Sequence, residues 1–543
     1  MRIALAQINS SLGDFVANRD KILDYIARAQ DRHCDLVIFP EAALFGYHPV
    51  DLLELESIVA LQEKQIPLIT KQIPPKMGVL IGAIVRNQSK KGKAYWNAAV
   101  FLERGKKPKI FPKQLLPTYD VFDESRHIEP GHAAKNIFKF KGERILVTVC
   151  EDIWGWPLKN KPGFAHYREN PLQKMPRSGI DLVVNLSASP FTQKKFEYRR
   201  EVTRQTAAHF RAPLVYVNMV GGQDELIFDG GSFVTDPKGK ILAQSIRYEE
   251  DLNVFDTKTK EGGIRELSKD PLDNLRSALV LGLRDFVHKT GHKSVHLGIS
   301  GGIDSAVVAC LAADALSPMN VTGILLPGPY TSDLSNQMGR KLIENLGLKL
   351  YDVSISGLYE SAADVLNNNF GKAETGFTLE NIQSRLRGMI LMAYSNMTGS
   401  MLIGTTNKSE LAVGYGTLYG DLVGGLMPLA DLLKSEVYKL ARHYNSQTEI
   451  IPNEIIDRPP SAELRPNQLD SDSLPPYDEL DAAVQRLVVD LKPPKTETDR
   501  IVMTKMMQSE FKRWQAPPVL KISDHAFGRG RRFPVSTVYL DKA

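Results

Sequence analysis

The sequence predicts two α/β domains in series, the first a mixed domain with many strands and the second a doubly wound parallel sheet. Three observations carry this. Short β-branched runs alternate with stretches of helical periodicity through the first half of the chain. The pattern lapses between Asp256 and Asp270, where residues 257–263 read Thr-Lys-Thr-Lys-Glu-Gly-Gly. It then restarts as strand, glycine-rich loop and helix, an order that builds a parallel sheet.

In the first domain, 1–258, the spacing predicts strands at 2–8, 35–40, 78–85, 97–102, 144–149, 181–186, 213–218 and 231–235, with helices at 19–30 and 196–210. Asp236-Pro237-Lys238-Gly239 is a turn between two strands. The apolar run at the N-terminus is cut short by Gln7 and Asn9, so it reads as a buried first strand rather than a leader. In the second domain, 265–543, Asp273 is placed to cap a helix whose apolar face is Leu275, Ala278, Leu279, Leu283, Phe286 and Val287, with Gly291 ending it. Strands follow at 295–299, 321–326 and 401–404. The stretch 459–476 is rich in Pro, Asp and Ser without periodicity, and is either a long ordered loop or a disordered linker.

Composition excludes several classes. Hydrophobic residues at 43% and charged residues at 24% are ordinary for a soluble globular chain. No 18-residue apolar run offers a membrane span. The net charge of +5 is thin over 543 residues and does not argue for nucleic acid. The three cysteines, Cys34, Cys150 and Cys310, are too few for a disulfide framework and lack metal-ligand spacing, which favours a reducing, cytoplasmic setting.

Cys150 follows an apolar strand and precedes Glu151-Asp152. Alone it reads as a small buried core residue. Glu41, closing Leu36-Val-Ile-Phe-Pro40, and Lys113, in Phe111-Pro-Lys-Gln-Leu-Leu-Pro117, shift the balance, because each also lies at a strand end. Together they form an amide-cleaving set. The thiolate attacks, and a nearby ammonium lowers its pKa and steadies the oxyanion. The carboxylate moves the proton to the departing amine. In this order these segments resemble the nitrilase (carbon–nitrogen hydrolase) superfamily over most of 1–255. That resemblance implies an αββα sandwich with Glu41, Lys113 and Cys150 as the triad. Glu124 falls where the family often has a second glutamate; the other reading is a surface charge. Asn185-Leu-Ser-Ala-Ser-Pro-Phe191 resembles the glutamine-binding stretch of amidases attached to NAD synthetases. It implies Ser189, with Tyr119, Glu151 and Lys195, as the glutamine-binding set. An arginine is more usual at Lys195, and Ser187 and Ser189 also suit a turn after a strand.

The most specific motif is Leu297-Gly298-Ile299-Ser300-Gly301-Gly302-Ile303-Asp304-Ser305-Ala306, between a strand and a helix. Its glycines let backbone N–H groups approach a phosphate, and the helix N-terminus adds a favourable dipole. No lysine follows as in a P-loop. The run resembles the pyrophosphatase loop of the ATP pyrophosphatase superfamily, whose adenine nucleotide α-hydrolase-like fold is Rossmann-like. The segments from Leu402 to Ala412, Gly414 to Asp421 and Met427 to Lys434, with Glu380 to Arg387, 512–518 and 527–532, resemble the NAD synthetase family. The two resemblances cover nearly the whole chain. They imply glutamine-fed, ATP-dependent amidation of deamido-NAD by a homo-oligomer, with ATP and Mg²⁺ and without nucleic acid or membrane. They further imply ATP contacts from Gly298 through Ser305 and from Thr405. Asp304 and Glu410 would be the Mg²⁺ ligands. Asn381, Arg387, Glu410, Asp421, Lys434 and Lys512 would be the deamido-NAD set.

Four alternatives stay open in the sequence. The face Glu380, Gln383 and Arg387 would look the same if merely solvated. Arg529-Gly-Arg-Arg532 would also suit RNA. A pyrophosphatase-loop ligase with another acceptor and a nucleotide-sensing scaffold remain as rivals. One departure is visible: after Tyr330-Thr-Ser the family usually carries acidic residues some six positions on, and here the run is Asp333-Leu-Ser-Asn-Gln-Met338.

Overall fold

The computed structural model describes residues 1–89, 91–158, 167–371 and 376–537. The chain divides into two compact units, Met1–Lys269 and Asp270–Ala543.

The first unit holds β1 (Arg2–Gln7), β2 (Leu36–Ile38), β3 (Gly78–Arg86), β4 (Tyr95–Glu103), β5 (Lys109–Pro112), β6 (Ile137–Phe140), β7 (Glu143–Val149), β8 (Leu182–Ser187), β9 (Leu214–Asn218), β10 (Val220–Gln223), β11 (Leu226–Asp229), β12 (Phe233–Thr235), β13 (Ile241–Gln244), β14 (Asp251–Asp256) and β15 (Glu261–Gly262). A seven-stranded sheet runs β15-β14-β1-β2-β3-β4-β5 and a six-stranded sheet β13-β12-β9-β8-β7-β6. Strand alternation sorts the side chains. Leu5, Ile38, Leu80 and Phe101 from one sheet meet Val147, Val184 and Val217 from the other in a shared core. The opposite face of the seven-stranded sheet, with Ala4, Val37 and Ile81, packs on Ile22, Tyr25 and Ile26 of helix Phe15–Asp31. Leu146, Val183 and Tyr216 on the outer face of the other sheet cover Val202 and Phe210 of helix Lys195–Phe210. The result is the αββα sandwich the resemblance implied.

Sequence reading missed the strands outside β-branched runs. β14 pairs antiparallel with β1 from Arg2↔Asp256 to Gln7↔Asp251, yet its Asp-Leu-Asn-Val-Phe-Asp composition is half polar. β5 and β6 are four residues each, too short to show a period.

The second unit is built on β16 (Val295–Gly298), β17 (Val321–Leu325), β18 (Lys349–Asp352) and β19 (Met401–Leu402), in the order β18-β17-β16-β19 and parallel throughout. This is the doubly wound arrangement. β18 escaped notice because all four residues are exposed. One expectation is corrected. The first helix runs Pro271–Lys289 and is capped by Asp270, whose carboxylate accepts from the Leu272 N–H, not by Asp273. Pro271 explains the shift, since its fixed φ and missing N–H suit the first helical position. Asp273 instead accepts from His443 Nε2 at 2.9 Å if that nitrogen is protonated. The stretch 459–476 is an ordered loop: Glu463 accepts from Ser332 and Ser335, and Asp470 from Tyr415 and Tyr477. Among the described residues no helix is long and apolar enough to cross a membrane.

The two sheets of the first unit meet at an aromatic cluster in which Phe101 lies 4.5 Å from the Phe138 ring and 5.3 Å from Phe140. Phe101→Ala leaves a cavity there. It is expected to destabilise the first unit by about 3–5 kcal/mol, read as a lowered midpoint in urea unfolding.

Candidate functional site

Three strand ends converge in the first unit. Glu41 stands three residues beyond β2, Lys113 one beyond β5 and Cys150 one beyond β7. The first two belong to the seven-stranded sheet and the third to the six-stranded sheet, so the cluster straddles the layers. Lys113 Nζ donates to Glu41 Oε1 and to Glu124 Oε1, each at 2.8 Å. Asn97 Nδ2 donates to Glu41 Oε1 at 2.7 Å, the Ala188 N–H to Glu41 Oε2 at 3.0 Å, and the Tyr47 hydroxyl to Glu124 Oε1 at 2.8 Å. Glu124 is thus buried in the cluster and is not a surface charge.

Local backbone geometry sets these groups. A Cβ on Gly82 of β3 would lie 2.2 Å from Ala42 N and 2.3 Å from Pro40 O, so only glycine lets the Glu41 segment lie against that strand. Cys150 has φ of +41°, a strained value for a residue with a Cβ. It turns the chain sharply from β7 into a single helical turn, Cys150–Ile153, and lifts the thiol off the strand axis.

Electrostatics correct one expectation. Burial pushes the Cys150 thiol well above its ordinary pKa; Glu41 pushes it further up and Lys113 pulls it down. Three carboxylates, Glu41, Glu124 and Glu151, act against one ammonium, so the resting group is a thiol and not the thiolate expected from the lysine alone. Burial also raises Glu41, with Lys113 opposing and Glu124 adding to the rise. That makes Glu41 a better proton acceptor than a solvated glutamate. Burial works against the Lys113 charge, but Glu124 and Glu41 outweigh it and hold its pKa well above normal.

Beside the cluster, Tyr119 and Tyr167 donate to Glu151 Oε1 at 3.0 and 2.7 Å. The Lys195 ammonium lies 4.2 Å from the centre of the Trp154 ring. Ser189 is buried; its N–H donates to Asn218 Oδ1, and its hydroxyl oxygen accepts from Arg199 Nε at 3.0 Å. Burial raises the Glu151 pKa, while Lys113, the Tyr167 hydroxyl and Lys195 pull it down, so Tyr119, Glu151 and Lys195 are drawn together electrostatically.

In the second unit, β16 ends at Gly298 and helix Ile303–Leu316 begins five residues later. Gly301 has φ of +71°, and a Cβ there would lie 2.3 Å from Ser335 O. The Ser300 hydroxyl accepts from the Gly302 N–H, and the Ser305 hydroxyl donates to Gly302 O. Among the described residues no side chain caps this helix, so its first-turn N–H groups carry no side-chain acceptor at the N-cap. Asp304 in that turn meets Lys434 Nζ at 2.5 Å, and Lys434 reaches Glu410 at 3.2 Å. Asn407 donates to Asp304 Oδ1 and accepts from the Glu410 backbone N–H, so one buried side chain ties the Asp304 carboxylate to the start of the helix that carries Glu410. Burial raises the Glu410 pKa to about 7, with Lys434 opposing. Thr405 stands half-buried three residues beyond β19, the neighbour of β16.

The six positions of the implied deamido-NAD set do not form one group. Asn381 accepts from the Thr417 hydroxyl, Asp421 from the Thr417 N–H, and Lys512 donates to Gly414 O and Gly416 O, so these three share a loop. Arg387 turns to Leu326 O and Thr331, past the end of β17. Glu410 and Lys434 stand at the Gly298–Ser305 loop, beside Asp304. Gln383 is fully buried and Arg387 half-buried, so the polar face of helix Phe377–Thr398 points inward and is not a solvated face. Arg531 pairs with the buried Glu510, drawing it out of the basic cluster.

Two family models divide the chain between them: carbon–nitrogen hydrolase over residues 2–261 and NAD synthase over 275–516. A glutamine-dependent NAD(+) synthetase from Synechocystis is 43% identical across 99% of both chains. The chain belongs to the glutamine-dependent NAD(+) synthetase family. The Thermotoga maritima synthetase is 36% identical across 99% of this chain and 98% of its own. The synthetase of Acinetobacter baumannii, solved in complex with ADP, matches with a TM-score of 0.77 at 32% identity over 98% of each chain.

Several residues at this synthetase's sites were missed in the sequence. Asn97 and Asn185 carried a signal, as lone amides inside otherwise apolar strands. Tyr47, Tyr167, Arg199 and Arg458 carried none. Arg458 donates to Gly301 O and to Ser335 Oγ, bracing the glycine-rich loop from 157 residues away. Glu463, from the same stretch, gives Ser332 and Ser335 an acidic partner, where the end of the 333–338 run carries Asn, Gln and Met.

Because burial and the surrounding carboxylates raise the Cys150 pKa, its thiolate fraction keeps growing above pH 9. Alkylation of Cys150 by iodoacetamide is therefore expected to be slow at pH 7 and still accelerating at pH 9.5, followed by mass spectrometry. A plateau below pH 8 would contradict this assignment of charge.

Proposed function

We propose that the first unit hydrolyses glutamine through Cys150, Glu41 and Lys113, and that the second unit uses ATP to amidate deamido-NAD with the ammonia released. The carrying observation is the Lys113 ammonium held between two buried carboxylates beside a strained cysteine, in a chain matched end to end by glutamine-dependent NAD(+) synthetases. Sγ attacks the carboxamide carbon as Glu41 takes the thiol proton. Lys113 stabilises the oxyanion. Glu41 returns the proton to the nitrogen as the C–N bond breaks, leaving ammonia and a thioester that water cleaves to glutamate. Glu151, braced by Tyr119, suits the α-ammonium of glutamine. Lys195 suits its α-carboxylate, and the Ser189 hydroxyl adds a donor.

In the second unit, the Gly298–Ser305 loop with Thr405 would take ATP. Asp304 and Glu410 suit Mg²⁺, since one cation, the Lys434 ammonium, already bonds to both. When bound, magnesium offsets phosphate charge. Lys434 would then turn to the reacting phosphates. The nicotinate carboxylate of deamido-NAD, held by the loop that Asn381, Asp421 and Lys512 share, with Arg387 reaching it from the end of β17, attacks the α-phosphorus and pyrophosphate leaves. Ammonia then displaces AMP and yields NAD. Three buried free cysteines favour a cytoplasmic setting. Cys150→Ala is expected to abolish NAD formation from glutamine and to leave at least half the rate from ammonium chloride, with AMP measured in both. Loss of both rates in a folded variant would contradict the division of labour.

A homo-oligomer is part of the same proposal. Helix Phe377–Thr398 turns Ile382, Leu386, Met389 and Met392 outward, where with Tyr419 and Val423 they line a groove of about 450 Å³. An apolar surface of this kind suits a second copy of the chain. Met392→Glu is expected to lower the mass measured by light scattering at micromolar protein. An unchanged oligomer would exclude this face.

A further inference from the structure

Asp152 is fully buried two residues from the nucleophile and has no role in the chemistry proposed above. Among the described residues no lysine or arginine pairs with it. Burying a carboxylate without a counter-ion is strongly unfavourable unless hydrogen bonds replace the lost water. Here they do. Oδ1 accepts from the Gln114 N–H at 2.8 Å and from the Leu115 N–H at 2.9 Å. Oδ2 accepts from the Val149 N–H at 2.9 Å. One oxygen therefore serves the segment that follows Lys113, and the other serves the residue that precedes Cys150.

We infer that Asp152 is a positioning residue that locks the Lys113 segment to the Cys150 turn, one carboxylate oxygen for each. Lys113 follows a strand of the seven-stranded sheet and Cys150 a strand of the six-stranded sheet. Between those sheets the packing is apolar, and apolar packing is not directional. An ammonium that must meet an oxyanion at hydrogen-bond distance needs a directional tie as well. The Oδ2 bond alone would be ordinary capping of a short turn. The Oδ1 bonds are not, because they reach 38 and 37 residues back along the chain to the opposite sheet. The Ala188 N–H on Glu41 Oε2 is a tie of the same kind, from the end of β8 to the seven-stranded side. Burial pushes the Asp152 pKa up to about 6, while the three N–H groups pull it down and keep the acceptor form at neutral pH.

This inference rests on the proposed roles of Lys113 and Cys150, and the test separates the two. Asp152→Asn in the full chain keeps one acceptor oxygen but turns an NH2 toward an N–H, which breaks one side of the lock. Glutaminase kcat is expected to fall about 10- to 100-fold, with the KM for glutamine within about threefold and ammonium-driven NAD formation within about twofold. Asp152→Glu, which retains both acceptor oxygens, is expected to keep more of the kcat than Asp152→Asn. A kcat within threefold of the parent would overturn the inference. So would a KM rise at unchanged kcat, or loss of the first unit's thermal transition in both variants, which would make Asp152 a folding residue only. Cys150→Ala is measured alongside. If it stays active on glutamine, the catalytic reading itself fails; if it is inactive while Asp152→Asn is not, only the positioning role fails.

Discussion

A lysine with no access to water governs the first unit. Alone, the Lys113 ammonium would shed its proton, because burial penalises charge by several pKa units. Glu41 and Glu124 reverse that, and each must in turn be satisfied: Glu41 by Asn97 and Ala188, Glu124 by Tyr47. The donors come from β4, from the end of β8 and from the segment after β2. Removing one member of such a set strands the others in a low-dielectric interior. The sandwich can therefore be understood as the frame that brings these strand ends to one place.

The second unit meets the same electrostatic problem with a looser solution. Lys434 also spans two carboxylates, Asp304 and Glu410, but their side chains keep 18% and 15% of their exposure, against 0% for Glu41. A pair that keeps some contact with solvent can exchange partners at lower cost than a sealed one, which suits the proposed nucleotide site. The closed pair in the first unit suits a reaction on a small neutral amide. Burial thus separates a fixed counter-ion from an exchangeable one.

Much of this was legible in the sequence, and the reason differs by element. Central strands such as β7 and β8 are buried on both faces over most of their length, so they read as largely apolar runs. β14 and β18 read as nothing, one because it is half polar and the other because its side chains are exposed. Glu41, Lys113 and Cys150 were found because each type has a chemical use at a strand end. Their supports were not, since the Tyr47 hydroxyl and the Asp152 carboxylate act through hydrogen bonds that connect distant stretches of chain. The thiol's charge state was misjudged for the same reason: a nearby lysine is visible in sequence, while the burial of the thiol and the three carboxylates around it are visible only in space.

Gly82 shows how far the constraint of a reactive group extends. It lies mid-strand, carries no functional atom and is 41 residues from Glu41, yet the backbone of Pro40–Ala42 occupies the space its side chain would need. Even a methyl group there would push the Glu41 segment away from the strand that it lies against. On the proposed roles of Glu41, Lys113 and Cys150, a genetic search for loss of glutamine use would then recover silent-looking changes at this position beside changes at those three. A map of mutational tolerance would mark the strand under the site as strictly as the site itself.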